Sequence, residues 1–534
     1  MLNTYLLLAA AVILACVLFN KITFKIGVPM LLAFILLGMC FGSDGLVKIA
    51  FNDYSFAEQI CSIALIFIMF YGGFGTKWAF AKPVAGKAVL LSSVGTVLTA
   101  ALVGLFCYFA LKIALLESFL IGAVISSTDA ASVFSILRSK RLNLKYNTAS
   151  LLELESGSND PFSYMLTVIV LSLMQGRVQG AAVIAMLFRQ LLFGIVFGVG
   201  VALLARLIFK KFRFSAAGFD GIFLVAVAIV SYAAPAVLGG NGYLSAYIAG
   251  IILGNSRIQN KQALVHFFDG MTGLMQMLLF FLLGLLATPS RLPAVAPTAL
   301  AIALFLTLIA RPAAVFALLA PAKERLHQAL LVSLAGMRGA ASIVFAIMVV
   351  INPAVLYHDV FHIVFFIVLF SILVQGSLLP FAARKLDMTD AEADVLKTFN
   401  DYTDEAPVQF VELTIPAAHA WANKELRQIA LPPESLIVLL LRGEEKLVPN
   451  GRTLLLPGDT LILSGRATGR IEGVRLYEKT VDADSDFAGK KIAALPCGDA
   501  LVIMIRRGKN VLIPKGSTVV KAGDVLVINE TKEQ

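Results

Sequence analysis

The stretch LLELESGSNDPFSY, Leu151–Tyr164, decides how this chain is read. It holds Glu153, Glu155, Asn159 and Asp160, with Pro161 directly behind, inside an apolar tract long enough to cross a bilayer. Positions 153, 156 and 160 stack on one helical face, and Glu155 with Asn159 stacks on an adjoining one. Pro161 cannot donate to the carbonyl one turn earlier, which frees that oxygen as a cation ligand. An acid at mid-bilayer costs about 2.5–3.5 kcal/mol by insertion scales, so this polar wall marks an ion pathway.

The rest of the chain supports a membrane setting. Of 534 residues, 59% are hydrophobic and 15% charged, more apolar surface than a water-soluble core can hide. Apolar runs of spanning length recur about thirteen times before Leu386, near 3–20, 24–42, 57–75, 88–111, 117–137, 149–174, 181–208, 218–237, 242–256, 264–287, 293–321, 328–350 and 358–382. One set of alternate loops carries eighteen Lys and Arg between Lys21 and Lys385, Lys82, Lys87 and Arg138 among them. The other set carries only Lys48, Lys112, Arg177 and Arg291. The basic set belongs in the cytoplasm, which places the N-terminus outside and everything after Lys385 inside. The basic excess therefore reads as topology, and no nucleic-acid partner is expected.

Two further tracts complete the polar site. ISSTDAAS, Ile125–Ser132, puts Asp129 at the depth of Asp160 among small residues that let a helix open. LAGMRGAAS places Arg338 mid-span, and LIARPAAV does the same for Arg311. The buried acids need such bases, and either arginine could serve. STDAAS and MRGAAS match each other as acid and base within a helix-breaking tract. Two crossed discontinuous helices, one from each inverted repeat, need that pairing. Glu153, near a span end, reads as structural. The histidines lack ligand spacing and the five cysteines form no C-x-x-C pair, so no metal site is expected. No nucleotide loop, zinc-protease motif or nucleophile elbow is present, and the chain is not expected to be an enzyme.

After Leu386 there are 18 Lys and Arg against 22 Asp and Glu, compared with 26 against 12 before it. An acidic linker, 386–404, leads into an internal repeat. RGEEKLVPNGRTLLLPGDTLIL from Arg442 and RGKNVLIPKGSTVVKAGDVLVI from Arg507 align without a gap, pairing Pro449 with Pro514 and Gly458-Asp459 with Gly523-Asp524. Two copies of one small β-rich or α+β module are expected, at 405–470 and 471–534, behind a membrane domain at 1–385. The fold class is thus an all-α polytopic membrane protein with cytoplasmic tandem modules.

STDAASVFS, ESGSNDP and GMRGAAS in this order resemble the NhaP-type monovalent cation:proton antiporters, more closely their potassium/proton subgroup. The two soluble copies resemble the C-terminal RCK (TrkA-C) modules of potassium transport regulators. The resemblance implies a thirteen-helix homodimer with a dimerisation domain and a mobile core, in the bacterial inner or plasma membrane. It implies that Asp160 binds cation and proton in turn. Asn159 would stand where electrogenic relatives keep a second aspartate, and Thr128, Asp129 and Ser156 would complete the cation site. Glu155 would pair with Arg338 or Arg311. The transported ions are K+ or Na+ and H+, with no cofactor; one exchangeable carboxylate predicts electroneutral exchange. The modules either bind a nucleotide or cyclic dinucleotide, at a site the sequence does not locate, or only stabilise the dimer. The rivals are Na+(Li+)/H+ exchange by the same fold and an RCK-gated potassium channel, though FYGGFG lacks a selectivity-filter pattern.

Overall fold

A computed structural model describes residues 3, 7, 10–18, 30–140, 142–211, 218–256, 258, 261–320, 325–352, 356–390, 408–417, 419–431, 435–443, 445–466, 474–481, 485–495, 501–507, 510–512, 514 and 516–531. The chain divides into two compact units, 1–403 and 404–534. Parts of the first two expected spans, linker residues 391–404, and Lys21, Lys25, Arg141, Arg213, Arg257 and Lys323 lie outside the described residues.

Among its described residues the first unit is helical apart from its connections and one isolated bridge between Leu144 and Thr389. Its long elements are α1 (Met30–Phe41), α2 (Tyr54–Gly75), α3 (Trp78–Phe109), α4 (Leu115–Val124), α5 (Ala130–Ser139) and α6 (Thr148–Met174). They continue with α7 (Ala181–Lys211), α8 (Phe219–Val237), α9 (Gly242–Gly254), α10 (Lys261–Leu286) and α11 (Pro289–Leu319). The last are α12 (Leu326–Leu334), α13 (Ala340–Ile351) and α14 (Val360–Lys385). Among the described residues, seven helices are long and apolar enough to cross a membrane alone: α2, α3, α7, α8, α10, α11 and α14. With the buried apolar helices between them they make a multi-pass membrane protein.

Two expected spans are broken where small residues cluster, as the sequence implied. Residues 125–129 separate α4 from α5, and residues 335–339 separate α12 from α13. Three other helices widen instead of breaking: π-helical turns occur at Leu91–Gly95 in α3, Leu306–Ala310 in α11 and Ser371–Gln375 in α14. Each extra residue rotates the downstream part of its helix, and the second sits directly before Arg311.

The loop charges need one correction. Lys82 and Lys87 lie within helical turns that begin at Trp78, ahead of the expected start of that span at 88. Pro83 is accommodated at the start of a short 3-10 segment, Lys82–Val84, which interrupts the α-helical bonding after Trp78–Ala81. Arg138 likewise falls within α5. Within the first unit the chain just after α14 turns back toward residue 145: the Lys145 N–H donates to the Met388 carbonyl at 2.9 Å, and Lys145 Nζ meets Asp387 at 2.9 Å.

The second unit holds two four-stranded antiparallel sheets of one design. The first has strands β1 (Val408–Thr414), β2 (Leu436–Arg442), β3 (Glu445–Leu447) and β4 (Thr460–Arg466) in the order β1-β4-β2-β3. The second has β5 (Val474–Thr480), β6 (Leu501–Arg507), β7 (Asn510–Leu512) and β8 (Val525–Thr531) in the order β5-β8-β6-β7. The register breaks at the same place in both, between Ile437 and Leu439 and between Val502 and Met504. Each Gly-Asp turn is clamped alike. Arg442 donates from Nε and Nη2 to the Asp459 carboxylate at 2.8 and 2.7 Å, and Arg507 does so to Asp524 at 2.8 and 2.8 Å. These guanidinium bonds hold both carboxyls below their ordinary range.

Candidate functional site

The two broken helices cross, and their non-helical stretches touch. The Asp129 N–H donates to the Met337 carbonyl at 2.8 Å, a main-chain bond directly across the crossing. Backbone groups that a continuous helix would satisfy internally are here given to the partner stretch and to side chains.

The acid and the base of the two tracts take complementary ends. Asp129 caps α5: its carboxylate accepts from the Ala131 N–H at 2.9 Å, the Ser132 N–H at 3.3 Å and the Ser132 hydroxyl at 2.5 Å. A negative group is favoured there by the N-terminal half of the helix dipole. Arg338, 1% exposed, donates from Nη1 to the Ser127 carbonyl at 2.8 Å, just beyond the C-terminus of α4. Its own N–H donates to Ser371 Oγ at 2.9 Å, in the π-turn of α14. Arg311, not Arg338, reaches Glu155: Nη2 donates to Oε1 at 2.5 Å, with both side chains buried.

Along α6 the remaining polar residues address the first broken stretch. Ser156 Oγ donates to the Thr128 carbonyl at 2.6 Å. Asn159 holds Thr128 twice, donating from Nδ2 to its hydroxyl and accepting its N–H at 3.2 Å. The Ser127 hydroxyl donates to the Asp160 carboxylate. Asp160, buried, lines a cavity of about 390 Å³ together with Thr128, Asp129, Ser156, Tyr247 and Thr272.

All eight residues singled out from sequence therefore lie at or beside one crossing. Others were not foreseen. Ser127 was in the quoted tract, yet nothing in its spacing distinguished it from its neighbours. Ser163, whose hydroxyl donates to the Ala123 carbonyl at 2.6 Å, closes the end of α4. Asn241, the N-cap of α9, donates to the Pro161 carbonyl at 2.7 Å from a helix 80 residues away. A position that distant gives no local signal.

The chemistry depends on how each acid is occupied. Glu155 is matched by Arg311, and Asp129 by the first turn of α5. Among the described residues Asp160 receives one hydroxyl, and like Asp129 it lines the cavity. Ser127 can donate to the carboxylate or, after rotation, accept from the acid, so the site accommodates both protonation states.

The sodium/hydrogen exchanger transmembrane family matches residues 7–385, more than half of the chain. The chain belongs to that family. The TrkA-C domain matches this exchanger twice, at residues 410–470 and 476–530. K(+)/H(+) antiporter NhaP2 of Shewanella baltica is 32% identical over 475 residues, covering 87% of this exchanger and 81% of the relative. K(+)/H(+) antiporter NhaP of Alkalimonas amylolytica is 31% identical over 465 residues, covering 86% and 81%. The structure of the sodium proton antiporter MjNhaP1 from Methanocaldococcus jannaschii superposes with a TM-score of 0.63 at 24% identity, covering 71% of this exchanger and 100% of that chain. The resemblance read from STDAASVFS, ESGSNDP and GMRGAAS is borne out, as is that of the tandem modules.

Proposed function

We propose that this exchanger moves a monovalent cation, K+ in preference to Na+, against a proton, one for one, with Asp160 as the shared group. The observation that carries the reading is that Asp160, facing a cavity, has among the described residues a single hydroxyl partner, while Glu155 is paired with Arg311 and Asp129 caps α5. A proton on Asp160 removes the charge that a cation needs, so the two exclude each other and the exclusion couples their fluxes. Thr128, Ser156 and Asn159 shape the oxygen surroundings of the cation. Asp129 and the Glu155–Arg311 pair hold that shape, and Arg338 balances the end of α4. One-for-one exchange moves no net charge, so it is indifferent to a membrane potential worth about 2.3 kcal/mol per charge per 100 mV.

The preference for K+ is supported by relatives of about one-third identity named as K(+)/H(+) antiporters. We assign the membrane domain to 1–385 and regulatory modules to 405–470 and 471–534, on the cytoplasmic side of a bacterial inner membrane, in a homodimer. The modules take a small anionic regulator such as a nucleotide or cyclic dinucleotide. Alternating access moves the crossed helices against the remaining bundle. The test is a pH-sensitive dye in proteoliposomes, with K+, Na+ and Li+ added in turn. K+ should dequench most strongly, an imposed potential should not alter the rate, and Asp160→Asn should abolish the signal. Exchange retained in that variant would refute the assignment.

A further inference from the structure

Buried hydroxyls on the helices of this exchanger have a default partner, the carbonyl one turn earlier. Thr96 donates to Ser92, Thr99 to Gly95, Thr167 to Ser163, Ser231 to Val227 and Ser333 to Ala329, all at 2.7–2.8 Å. That bond is always within reach of a helical Ser or Thr. Ser245 on α9, Ser342 on α13 and Thr272 on α10 depart from the pattern among the described residues, and of these three only Thr272 lines the cavity that holds Asp160. Thr272 is 6% exposed, and its Oγ1 makes no hydrogen bond among the described residues. A buried hydroxyl left so costs about 1–3 kcal/mol unless something else occupies it.

Thr272 lines the cavity that holds Asp160, and it does not do so alone. Asp269 and Gln276, three residues before and four after it, line the same cavity and share its face of α10. Asp269 accepts from Tyr71 Oη at 3.2 Å, which fixes the carboxylate toward α2. The face thus offers a carboxylate, a hydroxyl and an amide, a set of oxygen donors suited to a hard, weakly charged cation. None belongs to the crossed helices or to α6, so α10 brings a further set of polar groups to the cavity of Asp160.

We propose that Asp269, Thr272 and Gln276 form a second cation station, occupied by a partly dehydrated monovalent cation on its way to Asp160. The station rests on the transport reading above for its purpose, but its existence is a matter of binding. It replaces part of the ion's water before the last step, so that the crossed helices receive a cation already selected.

Transport and binding are measured separately on the full-length protein. In proteoliposomes, Asp269→Asn and Thr272→Val should each raise the K+ concentration for half-maximal rate about three- to tenfold. The maximal rate and the pH profile should stay as in the parent, and Thr272→Ser should restore the parent value. In detergent, K+ should raise the melting temperature relative to a bulky organic cation. Asp160→Asn should retain part of that rise, and Asp160→Asn combined with Asp269→Asn should lose it. Unchanged half-saturation in both single variants, or complete loss of the K+ effect in Asp160→Asn alone, overturns the station. If Asp269→Asn does not fold, the Thr272→Val and Thr272→Ser pair decides. A parent protein that binds K+ through Asp269 yet exchanges none would keep the station and refute the transport reading.

Discussion

Glu155 and Asp160 stand little more than one turn apart on α6, and their surroundings divide them. Glu155 is joined to Arg311 in a dry interior, where removing one partner leaves an uncompensated charge. Arg311→Met should therefore cost about 3–5 kcal/mol, and adding Glu155→Gln should recover most of it, as read by thermal unfolding of the purified protein. A loss that the second substitution does not reverse would mean that the pair is not the reason. The acids were legible because charge is so costly in an apolar run that its presence demands a purpose. Which arginine served Glu155 was not legible, since Arg311 and Arg338 both fall mid-span. Arg311 follows directly on the π-turn at Leu306–Ala310, which rotates the residues after it and leaves no mark in hydrophobic periodicity.

Among elements, the crossing of residues 125–129 with residues 335–339 sets the tolerances. A Cβ added at Gly339 would stand 2.4 Å from Asp129 Cβ, closer than any real contact allows. Gly339→Ala should push the stretches apart and cost about 1–3 kcal/mol, with exchange reduced at least about tenfold. Gly270→Ala, where nothing lies within 4 Å, should behave as the parent in the same flux assay. Equal rates for the two variants would show that the crossing yields easily. The breaks could be read from small-residue tracts around one charge. Helix starts were less legible: α3 begins ten residues early because Pro83 is taken up in a 3-10 segment, and the snorkelling lysines there look like loop charges.

For the whole molecule, the gapless repeat at 65 residues made the tandem sheets legible in the sequence. Their shared strand order and matching register breaks stem from it. The constant offset also duplicates an acid-sensitive clamp. Asp459 and Asp524 titrate below an unfolded carboxyl at about 3.9, so their stabilisation is fully present above that pH. It is lost as pH falls from there through the lower folded values. Brief pepsin digestion of the full-length protein should find the sheets resistant near pH 5 and cleaved as pH drops below about 3.5. Asp524→Asn should cost the second sheet about 2 kcal/mol and flatten its pH response, leaving the first unchanged. A response that stays steep in the second sheet would place the acid sensitivity elsewhere. Apolar length showed 117–137 and 328–350 each as one span, while their division into α4 with α5 and α12 with α13 came from the small-residue tracts and not from length.

The bond from Asp129 N–H to the Met337 carbonyl has a consequence for how this molecule can be dissected. It is made by main-chain atoms, so exchanging the side chain at either end leaves donor and acceptor in place. A scan that replaces residues one by one would report every neighbour of the crossing and stay blind to the fastening itself. Proline at 129, which alone among the common residues lacks the N–H, is the substitution able to cut it. The two broken stretches are thereby tied to each other whatever side chains surround them, and those side chains can drift while the fastening endures.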